Sequence, residues 1–492
     1  MGHSFFNSLH RNPDLGLIVP EMQLAVFGMG ILLTDFLLDA RSKAANGLLA
    51  LTGIAFSGYS LYRLRGVEAS GFHNTIQVDP FFIFFGMIFL ASAALVILLS
   101  VRYLEVEHEH HGEYYALIMF ALVGMMFLAS GTDLIVLFLG LETMALSFYV
   151  LVGFLRREKR SNEAALKYLL LGAFSSGILA YGFSLMYGMA GSTNLEDIKT
   201  AFASRGPNDI LVLLAIVTVS AGLFFKIAAA PFHQWAPDVY EGAPTTIAAF
   251  VSVASSAASF ALLLRIFLTA FWPAKSSWEL MLAVVAVASM TIGNFAALTQ
   301  TNLKRLLAYS SISHAGYILL GLVAGNATGL LGISFYIFAY AFMQTGAFAI
   351  VIVLRRTGLI GDEIEDLNGL FERSPAAALL LVLFMLSLAG IPPTAGFMGK
   401  YFIFLALIQS KHYLLAVFAA LYVVPALYYY FRLVVHACIR KSSDPVRPDI
   451  SVGQWLALGT AVLIVLGAGI VPEPFVRLAN FTLNSQFMPF VR

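Results

Sequence analysis

Long apolar runs alternate with short polar connections from one end of this chain to the other. Each run is about 20 residues or more, enough for a helix rising about 1.5 Å per residue to cross roughly 30 Å of hydrocarbon. Fourteen such spans are predicted, near 14–38, 44–62, 80–101, 113–130, 133–154, 163–190, 209–240, 245–271, 277–299, 305–325, 328–354, 376–408, 412–436 and 452–475. No stretch between them is long enough for a soluble domain. The expected fold is all-α and polytopic, one helical membrane bundle. The first run is span-length rather than the short apolar core of a cleavable leader.

Cationic loops set the expected orientation. Connections after odd-numbered spans carry fifteen Lys and Arg, among them the cluster at 156–160. The other connections and the termini carry nine. Both termini are therefore expected outside, on the periplasmic face of a bacterial inner membrane.

Two spans depart from the pattern. Segments 209–240 and 376–408 are longer than a straight crossing requires and contain Pro231 and Pro237, then Pro392 and Pro393. Proline removes a backbone donor and clashes with the preceding turn. A helix broken at membrane depth persists where protein or a water-filled cavity satisfies the freed groups. Each of the two also carries one lysine, Lys226 or Lys400. This recurrence suggests an internal duplication of five spans, 113–271 and 277–437, with the broken helix fourth in each copy (spans seven and twelve). Five is odd, so the second copy enters from the opposite face and the repeats are inverted, a transporter plan. A three-helix segment (1–112) precedes them, and a loop with the last helix (438–492) follows.

Composition agrees with a lipid solvent: 59% of residues are hydrophobic, 12% are charged, and the mean hydropathy is +0.83. The single cysteine, Cys438, rules out an internal disulfide and a cysteine-ligated iron–sulfur cluster or structural zinc. No Gly-rich nucleotide-binding loop occurs. The net charge of +1 gives no sign of nucleic acid as a partner.

Few ionisable groups fall mid-span, where each costs about 2.5–3.5 kcal/mol or more. They are Glu142 (LIVLFLGLETMALSFYVL), Lys226, His314 (LLAYSSISHAGYILLG) and Lys400. A lysine caught between desolvation and a facing carboxylate can load and release a proton as the carboxylate moves. Glu142 is the natural partner for Lys226, and a static ion pair is the bland alternative. His314 titrates near neutral pH and could relay between the halves, or could be a hydrogen-bonded packing residue. In FVSVASSAASF (250–260), Ser252, Ser255, Ser256 and Ser259 fall at i, i+3, i+4 and i+7, one stripe on an α-helix. That stripe could order water, or simply let two helices pack closely. EVEHEHHGE (105–113) has metal-ligand residue types but is expected to be an exposed connector. Arg265 and Asp35, near span ends, are expected to snorkel. Gly321, Gly325 and Gly329 suggest close helix packing.

Three blocks resemble the antiporter-like subunits of respiratory complex I, a family shared with multisubunit cation/proton antiporters. They are FKIAAAPFHQWAPDVYEGAPT (225–245), NLKRLLAYSSISHAGY (302–317) and SLAGIPPTAGFMGKYF (387–402). The DVYEGAP ending and the lysine at 400 follow the N-type pattern. The resemblance covers essentially the whole chain. It implies a fourteen-helix fold with two half-channels joined by a mid-membrane polar axis, and Glu142, Lys226 and Lys400 match the family's functional charges. It implies a proton-translocating subunit of NADH-quinone oxidoreductase, with NADH, FMN, iron–sulfur clusters and quinone on partner subunits and no cofactor on this chain. The partners implied are an M-type antiporter-like subunit, small K-, J- and A-type neighbours, and lipid. The chain departs from the family at Ser256, where a lysine is usual. The alternatives are a subunit of a cation/proton antiporter or of a membrane-bound hydrogenase, against which the block at 225–245 argues, or a membrane scaffold without ion traffic.

Overall fold

The computed structural model describes residues 13–39, 43–355, 361–441 and 448–480. Arg11, Arg41, Arg356, Arg447 and Arg492, part of the loop-charge count, lie outside them. Among the described residues, eleven helices are long and apolar enough to cross a membrane: Val19–Leu37, Pro80–Glu107, Gly112–Ser130, Leu134–Val152, Lys159–Ala190, Thr245–Leu268, Trp272–Thr299, Leu303–Ala324, Ala327–Leu354, Tyr413–Cys438 and Val452–Ile470. Ala45–Arg63 supplies the second span. The seventh and twelfth are each two shorter helices. The polytopic all-α fold is thus the one expected, and ordinals below follow this order.

The connections hold features the hydropathy pattern did not indicate. Ala69–Gly71 pairs antiparallel with Ile76–Val78 in a small hairpin between the second and third spans. The third span runs on to Glu107, so only 108–111 of the acidic and histidine-rich run is a connector. Glu107 is drawn into a largely buried ion pair with Arg355 (Nη2 to Oε2, 2.9 Å). Among the described residues no group of three potential metal ligands converges.

Span ends are fixed by side-chain caps that take up backbone N–H groups left free in the first turn. Asp79 accepts from Phe82 N (2.7 Å), Asp133 from Ile135 N (2.8 Å) and Asn302 from Lys304 N (3.0 Å). Asp79 has a second role. It forms a bidentate pair with Arg265 (2.7 and 2.9 Å), whose guanidinium also donates to Ala129 O (2.8 and 2.9 Å) and lies 4.5 Å from the Phe81 ring. Arg265 is 2% exposed. It does not snorkel: at a junction of three spans, a paired guanidinium replaces the water a snorkelling side chain would seek. Asp35 likewise binds Lys43 (3.1 Å) and Asn46 (2.6 Å).

Glycines set the closest helix approaches. A Cβ on Gly124 would lie 2.5 Å from Gly140 O, joining the fourth and fifth spans; one on Gly293 would lie 2.6 Å from Ser313 N, joining the ninth and tenth. Gly329 would meet Gly321 O at 2.4 Å, so these two glycines do serve packing.

The seventh span consists of Ile210–Lys226, a non-helical turn, and Trp235–Gly242. The turn is pinned from outside: Ala230 N donates to Ser289 Oγ (2.9 Å) on the ninth span, and Trp235 Nε1 to Phe225 O (2.8 Å). Pro231 lies in the break. Pro237 does not; it sits in the first turn of the second half-helix, where a missing N–H costs little. The twelfth span consists of Pro375–Ala389 and Ala395–Gln409, broken around Gly390 and the two prolines.

The eighth span is interrupted too. Thr245–Phe250 and Ser256–Leu268 are α-helical, but Val251–Ser255 is a π-helical turn. Sequence spacing gave no warning of it.

Candidate functional site

Lys226 ends the first half of the seventh span and is 6% exposed. It lies within Coulombic reach of Glu142 on the fifth span but not in ion-pair contact. Glu142 is half-buried and accepts a 2.5 Å hydrogen bond from Ser176 Oγ of the sixth span. The expected partner is therefore present, with its carboxylate hydrogen-bonded to Ser176.

Lys400 is placed differently. It follows its break, whereas Lys226 precedes the other, so the two lysines do not occupy equivalent positions in a duplicated segment. Lys400 Nζ reaches back across the break to donate to Ala389 O (2.8 Å) and Leu388 O (3.4 Å), and lies 4.9 Å from the centre of the Tyr317 ring. The carbonyls that end a helix carry partial negative charge and lack helical partners. Breaking the span exposes them at membrane depth. A side chain on Gly390 (φ +85°) would strike Lys400 Cδ at 2.8 Å, so the glycine both permits the turn and leaves the lysine room.

His314, on the tenth span, has both ring nitrogens engaged: Nδ1 with Tyr336 OH (2.7 Å) and Nε2 with Tyr430 OH (3.1 Å). Tyr430 OH in turn bonds Ser310 Oγ. A neutral imidazole has one donor and one acceptor nitrogen, so one tyrosine donates to the ring and the other accepts. Lys400 is within Coulombic reach.

The four serines do not form one stripe, because the π-turn resets their register. Ser252 bonds Tyr340 OH (3.0 Å) and Gln344 Nε2 (3.1 Å). Ser256, with Ser252 and Ser311, faces the Tyr240 hydroxyl. Ser255 faces Tyr168. Ser259 Oγ donates to its own helix, at Ser255 O (2.8 Å). Ser256, Ser311, His314, Tyr340 and Ile227 share a cavity of about 10 Å³, about enough for one water. Ile227 adjoins Lys226, so this cavity lies between the seventh-span break and His314.

Sequence reasoning missed the tyrosines. Tyr336, Tyr340 and Gln344 fall at i, i+4 and i+8 of the eleventh span, a polar stripe in an otherwise apolar helix, and all three bond site residues. That spacing was available in the sequence. Two charge clusters were missed as well. Arg305 Nη1 bridges Asp238 and Glu241 (both 2.8 Å), with Lys167 Nζ on Asp238 (2.9 Å), where the sixth, seventh and tenth spans meet. Buried Lys304 pairs with Asp362 (3.0 Å).

The family described as NADH:quinone oxidoreductase/Mrp antiporter, TM matches residues 131–424. NADH-quinone oxidoreductase subunit N 2 of Solibacter usitatus is 55% identical over 97% of this chain and 99% of its own length. Subunit N 1 of Koribacter versatilis is 54% identical over 97% and 96%. Among solved structures, a chain of respiratory complex I from Thermus thermophilus is 32% identical, with a TM-score of 0.80 covering 93% of this chain and 99% of that one. A chain of the Mrp complex from Dietzia is 20% identical at a TM-score of 0.81, covering 96% and 100%, which shows the shared fold alone. On its buried charges, its two broken helices and these likenesses, the chain belongs to the subunit N family of NADH-quinone oxidoreductase, the antiporter-like membrane subunits of respiratory complex I.

Proposed function

We propose that this chain translocates protons within a bacterial NADH-quinone oxidoreductase, through Glu142, Lys226, His314 and Lys400. The observation that carries the reading is a near-continuous polar line in an apolar bundle. It passes from Glu142 and Ser176 to Lys226, then by the small cavity at Ser256 to His314, its two tyrosines and Lys400. Buried ionisable groups are costly in lipid, and a purely structural bundle has no use for four of them in a row.

The mechanism follows from the contacts. Moving Glu142 toward Lys226 favours the charged ammonium, and withdrawing it favours release. Loss of the Ser176 hydrogen bond is the local event that frees the carboxylate. A proton entering the His314 ring at one nitrogen can leave from the other, and the two tyrosine hydroxyls lead in opposite directions from it. At Ser256 there is no titrating group, so a water in the cavity carries the step. Ser252, Ser255 and Ser259 are hydrogen-bonding neighbours of the line rather than its lining.

Two inverted repeats, 113–271 and 277–437, organise this line. Supporting the duplication, the fourth span packs on the fifth through Gly124 and Gly140 as the ninth packs on the tenth through Gly293 and Gly316. The three spans of 1–112 and the last segment, 438–492, flank them. NADH, FMN, iron–sulfur clusters and quinone belong to partner subunits, with M-type and small K-, J- and A-type chains as neighbours. Both termini face the periplasm. The antiporter alternative has in its favour a family description that also names Mrp antiporters and a shared fold at 20% identity, against 55% identity to a subunit N.

The test is NADH-driven proton uptake in inverted membrane vesicles. Alanine at Lys226, Glu142 or Lys400 should leave the complex assembled and stop pumping. Normal pumping in all three would refute the assignment. Orientation is tested by impermeant labelling of single cysteines at Arg157 and Glu196, both exposed. Labelling from the same face would overturn the topology. Ser161 is unsuitable, being buried and bonded to Val152 O (2.7 Å).

A further inference from the structure

We propose that the Tyr149 hydroxyl is a second seat for the Glu142 carboxylate, which withdraws from Lys226 by moving there from Ser176. This deepens the proton-pathway reading above and rests on it. Tyr149 is a positioning residue in this scheme, acting on Lys226 through Glu142.

The periodicity of the fifth span places Tyr149 for this part. It follows Glu142 by seven residues, two turns along the same helix face. Helical side chains lean toward the N-terminus, so the phenol leans back toward Glu142. Tyr149 is 6% exposed, and its ring packs edge-on against Tyr168 of the sixth span, with centroids 4.8 Å apart. Its hydroxyl nevertheless has no hydrogen-bond partner among the described residues. A buried hydroxyl left unpaired is costly, and in native structures most such groups find an acceptor. Tyr168 does not supply one, because its own hydroxyl faces Ser255. Among the described residues, Glu142 is the charged group within Coulombic reach of Tyr149.

The sixth span leaves room for the hydroxyl. Tyr168, Gly172 and Ser176 fall at i, i+4 and i+8, on one face of that helix. A Cβ on Gly172 would overlap Tyr149 Oη, so the hydroxyl occupies the gap this glycine opens. Ser176, one turn further on, holds Glu142 by its 2.5 Å hydrogen bond. The two hydroxyls thus sit about one turn apart along one face, roughly 6 Å. A swing of the glutamate side chain together with the phenol closes that distance.

Helix pairing decides which seat is nearer Lys226. The sixth and seventh spans run antiparallel. A Cβ on Gly182 would lie 2.6 Å from Val219 Cγ2, and one on Gly222 would lie 2.8 Å from Leu179 Cβ. Ser175 Oγ donates to Gly222 O (3.3 Å). Continued by one turn, this pairing sets Lys226 level with Ser175 and Ser176, and Gly172 level with the seventh-span break. A carboxylate at Ser176 is therefore level with Lys226, and one at Tyr149 is a turn away from it. Exchange of seats is the withdrawal that favours proton release, and the Tyr149 hydrogen bond stabilises the withdrawn state.

The test uses the intact complex in inverted vesicles. Tyr149→Phe keeps the ring and removes only an unpaired hydroxyl, so assembly should be unchanged while NADH-driven proton uptake falls by about fivefold. Added to Glu142→Gln, the same substitution should cost nothing further, since the charge that the seat receives is already gone. Equal losses in both backgrounds would make Tyr149 a structural residue and overturn the proposal. Wild-type uptake by Tyr149→Phe, or failure of that variant to assemble, would overturn it too. A direct readout is the tyrosine C–O stretch in infrared difference spectra, identified by ring labelling. It should shift between resting and NADH-energised wild type, and the shift should be missing from Tyr149→Phe and Glu142→Gln. Its persistence in Glu142→Gln would count against the second seat. Normal pumping by Glu142→Ala would sink the pathway itself, whereas stalled Glu142→Ala beside normal Tyr149→Phe would sink only this inference.

Discussion

The two broken spans solve one problem, an ammonium at membrane depth, in different ways. At the seventh, Lys226 faces a carboxylate from another helix, close enough to be felt and too far for contact, while Ser176 occupies that carboxylate. At the twelfth, Lys400 binds the carbonyl end of its own half-span, at Ala389 and Leu388, and lies against the Tyr317 ring. In the first arrangement the compensating group belongs to a separate helix. The second is built into the break itself, since the same proline-rich turn that interrupts the helix supplies the acceptors. Compensation by a partner can be switched by moving the partner; compensation by backbone changes only if the lysine swings away. On the proposed pathway, the seventh-span site would answer to a displacement of Glu142, and the twelfth-span site would hold a proton until its lysine leaves the carbonyls.

Charge inversion should break this comparison most visibly. Lys400→Glu would set a carboxylate against carbonyl oxygens with no cation near enough to swap, and assembly of the complex, read on a native gel, should be lost. Lys226→Glu should also fail alone, but adding Glu142→Lys should restore assembly. Rescue at neither site, or Lys400→Glu assembling normally, would erase the distinction.

Arginine substitutions sharpen it next. Arginine keeps its proton, so Lys226→Arg and Lys400→Arg should assemble but lower proton uptake by roughly tenfold or more. Uptake at the wild-type rate would mean that neither lysine releases a proton.

Glu142→Gln, which keeps the Ser176 hydrogen bond but removes the charge, should lower uptake by about tenfold, nearly as far as Glu142→Ala. Ser176→Ala should cost less, because only the restraint on the carboxylate is lost. A larger loss from Ser176→Ala than from Glu142→Gln would reverse the proposed roles.

The smallest effect is expected between the two lysines. Ser256→Val should fill the cavity of about 10 Å³ and slow uptake by about two- to fivefold through loss of the water. Ser259→Ala, whose hydroxyl only bonds its own helix, should change nothing. Equal effects of the two would return the serines to a packing role.

Much of this was legible in the chain. Apolar runs of span length, counted along the sequence, gave the fourteen crossings, because in lipid each one must satisfy its own backbone. Glu142, Lys226, His314 and Lys400 stood out for the same reason: a charge inside such a run is too costly to be incidental. Prolines located the two breaks, although Pro237 proved to be a first-turn residue. What remained hidden depended on neighbours distant in sequence. Nothing local to Arg265 indicates Asp79, 186 positions away, so snorkelling was the expected reading. The serine stripe failed because a π-turn changes which residues share a face, and that turn is decided by packing. The tyrosines around His314 come from the eleventh and thirteenth spans, and only their assembly brings both hydroxyls onto the ring. Sequence alone determined which ionisable groups fall mid-span, since depth in the membrane follows from hydropathy and length. Which of them touch, and whether a lysine answers to a carboxylate or to a helix end, was decided by the tertiary structure, because hydrogen bonds and charge pairs depend on ångström-scale distances that the order of residues does not encode.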